Sequence, residues 1–319
     1  MATPSTLRPG PTLPEPRKHI QALAGQIGER HVLRPAALSD AADYITAAWR
    51  DQGYAVVAQI YDVSGIACAN LEATRHGTTQ ADRILLIGAH YDTVPGSPGA
   101  NDNASGVAAL LELSRLFAQV TSALTVRFVA FVNEEPPFFM TERQGSKIYA
   151  TAARGRGDDI RVMLSLETVG YYSDLPGSQH YPPLFRLFYP SRGDFLAFVS
   201  NFRSLAVTRQ LARSFSRQSD AALEYAAAPS FIPGVSWSDH RSFWKCGYRA
   251  FMVTDTAFYR YPFYHSPEDT PDKLCYPALA RNIQGLYLAL ADFADAPRRA
   301  SARALDAKFP KPPELGSQP

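Results

Sequence analysis

A chain of 319 residues, 46% of them hydrophobic, is long enough for one large domain or two small ones around a real core. Its 32 basic and 30 acidic residues are interspersed and leave a net charge of +2, so the charge points to no nucleic-acid partner. The three cysteines, Cys68, Cys246 and Cys275, are odd in number, widely spaced and without a CxxC pair; this argues against a disulfide framework or a cysteine metal site and for small buried hydrophobes.

Residues 1–16 carry five prolines and read as a disordered or extended arm, and the stretch 305–319, with Pro310, Pro312 and Pro313, reads as a Pro-rich tail. No apolar core of a secretion signal occurs in the first thirty residues, and no run is long enough to span a membrane. The expectation is a soluble, cytoplasmic protein, or a secreted one if a signal has been trimmed. Helical spacing covers 17–29 and 37–52. YAVVAQIYDV and IACANLEATRH flank a Ser-Gly turn and predict a hairpin. RILLIGAHYD is a continuous apolar run, as expected of a strand buried on both faces. A helix over 105–119 follows, then the strand LTVRFVAFVNEE, the helix GSKIYATAARG, the strand RVMLSLETVG, and DFLAFVSNF as a fourth strand with a helix after it. RAFMVTDT is another strand, and 276–295 make a closing helix, with the basic cluster RRASAR at 298–303 read as its solvated end. Strand–helix alternation of this kind predicts an α/β three-layer sandwich whose central sheet is mixed, largely parallel and flanked by helices.

The polar clusters HYD, NEE and ETVG all close apolar strands. Ligands of open α/β sheets bind beyond the strand C-termini, so these clusters can converge on one crevice. His90 and Asp92 point the same way at a strand end, and an Asp bonded to the far nitrogen of an imidazole is a common support for a metal-bound His. Asp102, in NDNASG before a helix, can serve as a cap or as an ionised ligand. Glu134 and Glu135 are adjacent carboxylates that need a cation or a proton between them; one on a metal and one as general base is a natural division. Glu167 ends its strand in the same fashion, and His265 sits in the aromatic loop FYRYPFYHSPEDTPDKL.

Taken together, GAHYD, GANDNASG, NEE, SLETVG, WSDHRSF and YHSPEDT, in this order between about residue 83 and 274, resemble the co-catalytic zinc aminopeptidases of metallopeptidase family twenty-eight, a family that also contains glutamate carboxypeptidase and, more remotely, glutaminyl cyclase. The resemblance implies a single zinc-peptidase catalytic domain over 17–304 and two zinc ions. It implies that His90 and Glu167 hold one ion, Glu135 and His265 the other, and Asp102 both. It makes Glu134 the general base, Asp92 a support for His90, Tyr264 the oxyanion partner, Asp239 supporting structure together with His240, and Asp102–Asn103 a candidate cis peptide. Two positions depart from the pattern. The acid at 167 is Glu where the peptidases usually have Asp, and Val235 stands where some members place an oxyanion Tyr.

The ligand chemistry agrees: two His and three carboxylates without Cys suit two borderline divalent ions. The expected activity is therefore a zinc-dependent exopeptidase, foremost an aminopeptidase acting on a peptide or amino-acyl substrate. Tyr171, Tyr172, Phe258 and Tyr259 are the candidate walls of its side-chain pocket. The alternatives are a carboxypeptidase, for which Arg143, Arg241 and Arg260 lie near motifs, a one-zinc glutaminyl cyclase, or a non-catalytic binding domain on the same fold.

Overall fold

The computed structural model describes residues 14–182 and 185–308. The first thirteen residues of the expected arm and the tail from 309 onward lie outside the described residues. A short helix α1 (Arg17–Ile20) runs into a π-helical turn (Gln21–Ile27) and is followed by α2 (Pro35–Asp51). The strands β1 (Val56–Val63) and β2 (Ile66–Arg75) pair antiparallel about the Ser64–Gly65 turn, where Asp62 Oδ1 accepts the Gly65 N–H at 3.0 Å. Then come β3 (Gln80–His90), α3 (Gly106–Ala118), β4 (Leu124–Phe131), α4 (Gly145–Arg156), β5 (Asp159–Glu167), β6 (Leu196–Ser200) and α5 (Leu205–Gln218). The last elements among the described residues are β7 (Leu223–Ala227), α6 (His240–Lys245), β8 (Ala250–Thr254), α7 (Ala257–Arg260) and α8 (Tyr276–Lys308). The closing helix thus extends to Lys308, past the predicted end at 295, and β7, α6 and α7 had no counterpart in the sequence reading. Among the described residues, no helix is long and apolar enough to cross a membrane.

The eight strands form one mixed sheet in the order β1-β2-β4-β3-β5-β8-β6-β7. Its centre, β4-β3-β5-β8, is parallel, and β2, β6 and β7 run the other way. Alternation along each strand sends side chains to two separate cores. Leu85, Ile87 and Ala89 of β3 join Val162 and Leu164 of β5 in a large core that also holds Leu111, Phe215 and Leu290 of α3, α5 and α8. Ile84 and Leu86 join Met163, Ala250, Tyr149 and Phe243 in a smaller core under α4 and α6. Helices therefore cover both faces, the three-layer arrangement the sequence predicts.

The two layers are unequal, and this positions the site. Helices α4 and α6 are short; α4 packs on β2 and on α6, and α6 packs on β5 and β8. Continuing the alternation to the strand ends, His90 and Glu167 fall on this thinly covered face, with Met252 and Thr254 of β8 beside them. Beyond α6, the same face of β8, β6 and β7 is open and lines a cleft. The three cysteines are free; Cys68 is buried, and Cys246 and Cys275 are half-buried.

Candidate active site

Because β4, β3 and β5 are parallel neighbours, the segments leaving their C-terminal ends meet. His90 is the last residue of β3 and Glu167 the last of β5, while Glu134 and Glu135 lie just past β4. Asp102 arrives on the segment Ala100–Ser105 ahead of α3, where the backbone of Asp102 and Asn103 leaves helical geometry, and the Asp102–Asn103 peptide is cis, as the resemblance implied. His265, in the loop after α7, completes the group with φ of 56°. All five expected ligand residues and the expected base come together in one place.

Asp102 is the pivot. Its Oδ1 lies 3.3 Å from His90 Nε2 and its Oδ2 lies 3.0 Å from His265 Nε2. His90 Nε2 is in turn 3.3 Å from Glu167 Oε2, and His265 Nε2 is 3.5 Å from Glu135 Oε1. Two clusters therefore share one carboxylate, His90–Asp102–Glu167 and His265–Asp102–Glu135. A tetrahedral zinc with bonds of about 2.0–2.1 Å has donors roughly 3.3 Å apart, the separation found along all four of these edges. Both carboxylate oxygens of Asp102 and Oε1 of Glu135 are buried without a hydrogen-bond partner among the described residues. Lone pairs hidden from water are costly unless a cation receives them, and the groups facing these oxygens are the two histidine Nε2 atoms, so the residues present fit two divalent ions. Glu134 has a donor atom within 4.8 Å of His90 and Glu135.

Charge crowding shows in the titration of these groups. Burial, with Asp102 adding to it, pushes the Glu135 carboxyl up to about 8. Burial likewise raises Glu134 well above the usual range, only partly offset by His90. Although burial works against a charged imidazole, Asp102 and Glu135 push His265 up to about 10, and Glu167, Asp102 and Asp92 raise His90 well above its usual value. Although burial also opposes it, His265 and His90 hold Asp102 below the usual carboxylate range.

The surroundings hold these groups in place. Asp92 does this differently from the expectation. Its carboxylate is 3.7 Å from His90 Nδ1, whereas its backbone oxygen, at 3.2 Å, accepts from that nitrogen. The carboxylate instead accepts the N–H groups of Glu134 and Glu135, each at 3.1 Å, which clamps both residues to the end of β3. A proton on Nδ1 leaves Nε2 as the lone-pair nitrogen facing Asp102 and Glu167. Asp239 is buried with neither oxygen hydrogen-bonded among the described residues, and burial pushes its carboxyl up to about 7. The bond to Glu167 comes from its neighbour Ser238, whose Oγ donates to Oε2 at 2.8 Å. His240 stands apart from the ligands: its Nε2 meets Val235 O at 2.9 Å, and burial lowers it to about 4, so it is a neutral structural imidazole. Tyr264 stacks on the His265 ring with centroids 3.9 Å apart, and it also lines the cleft.

Three further supports were not read from the sequence. Asp269, in the motif YHSPEDT, accepts the backbone N–H groups of Asn101 at 2.8 Å and Asp102 at 3.1 Å. Asp255 accepts from Asn101 Nδ2 at 3.0 Å and from the Tyr171 N–H at 2.8 Å. Arg30 is fully buried and donates to the carbonyls of Tyr91, Pro98 and Gly99 at 2.6, 2.7 and 2.9 Å, fastening both ends of the loop between His90 and Asp102. Gly99 adopts φ of 61°, a conformation that favours glycine. Asp269 and Asp255 end or follow motifs that could have signalled them; nothing near Arg30 does.

Next to Glu167 and Tyr264 the open face of the sheet forms a cleft with a cavity of about 120 Å³. Phe258 and Tyr259 line it as expected, and so does Val235. Tyr171 and Tyr172 do not: Tyr171 packs on Tyr261 at 4.9 Å, and Tyr172 donates to Val169 O at 2.9 Å.

The model of peptidase family M28 matches residues 70–290. Over 262 residues the chain is 38% identical to the uncharacterized protein YfbL of Escherichia coli, covering 79% of this chain and 80% of YfbL. An aminopeptidase from Aneurinibacillus sp. strain AM-1 is similar in structure, with a TM-score of 0.55 and 28% identity over 72% of this chain and 49% of that one. A glutaminyl cyclase from Fimbriiglobus ruber has the same fold, with a TM-score of 0.62 and 20% identity over 90% of this chain and 99% of that one.

Proposed function

From the premise that the chain belongs to peptidase family M28, a family of zinc metallopeptidases, we propose that it is a zinc-dependent aminopeptidase carrying two ions per chain. One observation carries this reading: Asp102 presents one oxygen to His90 and the other to His265, and a separate glutamate completes each side. His90, Asp102 and Glu167 would hold the first ion, and His265, Asp102 and Glu135 the second. Zinc bound there supplies Lewis acidity and a water acidified toward neutral pH.

The chain's own residues do the rest. Glu134, fixed through its backbone N–H by Asp92, is the proton carrier: it takes a proton from the attacking water and returns it to the leaving amine. Its burial favours the protonated form, so it releases the proton readily only once positive charge is nearby. Tyr264, held flat against His265, presents its ring at the mouth of the cleft and is the candidate partner of the developing oxyanion.

The carboxypeptidase alternative is disfavoured by the cleft itself. Among the described residues lining it there is no lysine or arginine to receive a substrate carboxylate. Arg260 is buried and already bound to Gln179 Oε1 at 2.7 Å and Phe195 O at 2.8 Å. A single ion held by His265, Asp102 and Glu135 would leave Asp102 Oδ1, which faces His90 beside Glu167, without a cation, and a binding-only domain would not need six competent side chains. The test is zinc per chain by elemental analysis, together with release from aminoacyl-nitroanilides and N-terminally blocked peptides. Two zinc ions and activity confined to free N-termini are expected; one ion with no release from free N-termini would overturn the reading in favour of a cyclase.

A further inference from the structure

The cleft beside the ligands has a floor that can be read from strand register. Glu167 of β5 is paired with Thr254 of β8, Thr254 with Ala197 of β6, and Ala197 with Glu224 of β7. Residues paired across neighbouring strands share a face, and all four line the cleft. A straight row thus runs from an expected zinc ligand to a second carboxylate three strands away, about 14 Å at the usual strand spacing. The two residues between them are small, which leaves a channel over the sheet.

Its walls suit a particular chemistry. Tyr181, Phe185 and Tyr189 line it with nearly parallel rings, Tyr181 on Tyr189 at 5.9 Å and 29° and Phe185 on Tyr189 at 6.0 Å and 17°. Glu224 acts electrostatically on both tyrosines of this stack. No cation among the described residues pairs with Glu224; burial alone raises its carboxyl. Aromatic faces beside an unanswered carboxylate are the setting in which a guanidinium or ammonium is preferred.

We propose that this channel is the pocket for the substrate's N-terminal side chain, and that Glu224 makes it selective for a long cationic one, arginine or lysine. The proposal rests on the aminopeptidase reading above. An extended lysine or arginine carries its charge roughly 6–7 Å from its Cα. The ligand carboxylate, the scissile carbonyl and an N–H···O contact take up the rest of the row. The aliphatic stem lies over Thr254 and Ala197, and the 120 Å³ cavity is on the scale of one large side chain.

The experiment compares lysine and norleucine p-nitroanilides, which share a stem and differ in charge, on the zinc-loaded enzyme and its Glu224→Gln and Glu224→Lys variants. The native enzyme should prefer lysine in kcat/KM by roughly 10- to 100-fold, the worth of one charge-assisted hydrogen bond. Glu224→Gln should abolish that preference, with zinc content unchanged. Glu224→Lys should place lysine below norleucine. Norleucine cleaved as well as lysine by the native enzyme, or a lysine preference surviving in Glu224→Gln, would overturn the role of Glu224 and leave the aminopeptidase reading standing. No release from either free-amine substrate would overturn both.

Discussion

Loading the stripped enzyme with zinc should release protons, and the number follows from the site. Without metal, His265 is pushed up to about 10 and His90 lies well above its usual value, so both carry a proton at pH 7. Glu135, pushed up to about 8, is also mostly protonated there, whereas Asp102 is ionised. Ligands bind deprotonated, so filling both clusters should expel about three protons per chain at pH 7 from His90, His265 and Glu135, with Glu134 and Glu167, both raised by burial, able to add to that number. Each proton makes the overall binding constant about tenfold steeper per pH unit, so the product of the two constants should rise roughly a thousandfold from pH 6 to 7. The stability of the metal-free protein has the matching sign. A group raised on folding stabilises fully below its unfolded pKa and loses that contribution as pH rises through the folded one. For Glu135 the window runs from 4.5 to about 8, and for His265 from 6.5 to about 10. Asp102 is lowered, so its contribution fails only as pH falls below 3.8. The Tm of the stripped protein should therefore decline from pH 6 to 9, and the gap to the zinc-loaded form should widen. Calorimetric zinc titration in buffers of different ionisation enthalpy counts the protons. Release of fewer than about one per chain would refute the charge accounting and with it the paired clusters.

Two other variants probe separate parts of the site. Glu134→Gln should bind its zinc normally and lose turnover; if kcat stayed above a few per cent of native, roughly, Glu134 would not carry the proton. Arg30→Met leaves the carbonyls of Tyr91, Pro98 and Gly99 without their donor and should cost about 3–5 kcal/mol, at roughly 1–3 kcal/mol for each buried acceptor left unsatisfied. At roughly 2 °C per kcal/mol for a chain of this size, thermal unfolding should shift by about 6–10 °C, and an unchanged Tm would remove Arg30 from the scaffold of the loop.

What could be read from the sequence was what local pattern encodes. Continuous apolar runs ending in HYD, NEE and LE mark strands buried on both faces whose ends carry polar work. The same rule fails for β7, because Leu223–Ala227 is a short edge strand without a fully buried residue and lacks any apolar rhythm. Glu224 was invisible for that reason. Arg30 escaped because a fully buried guanidinium satisfied by carbonyls from 61 and 69 residues away leaves no trace in its neighbours. Tyr171 and Tyr172 looked like pocket walls from sequence proximity alone, and neither lines the cleft.

Glu167 is the expected ligand position at which the sequence departs from the usual residue of the resemblance, and its surroundings suggest a reason that can be tested. Its carboxylate reaches His90 Nε2 at 3.3 Å and accepts the Ser238 hydroxyl at 2.8 Å. Ser238 in turn meets Ser165 Oγ at 2.6 Å, on the same strand as Glu167. The serine pair thus holds the longer side chain at full reach. Shortening it with Glu167→Asp withdraws the oxygens by about 1.5 Å, which opens both contacts beyond 4 Å, roughly, unless the backbone follows. β5 is pinned between β3 and β8, so it has little freedom to follow. The cluster of His265, Asp102 and Glu135 is untouched by the change. Glu167→Asp should therefore keep one zinc and bind the other roughly 10- to 100-fold more weakly, and Ser238→Ala should produce a smaller loss at the same ion. Chelator competition monitored by metal content resolves the two ions. Two ions bound with native affinity in Glu167→Asp would mean that the strand end adapts and that the acid's length at this position carries no weight.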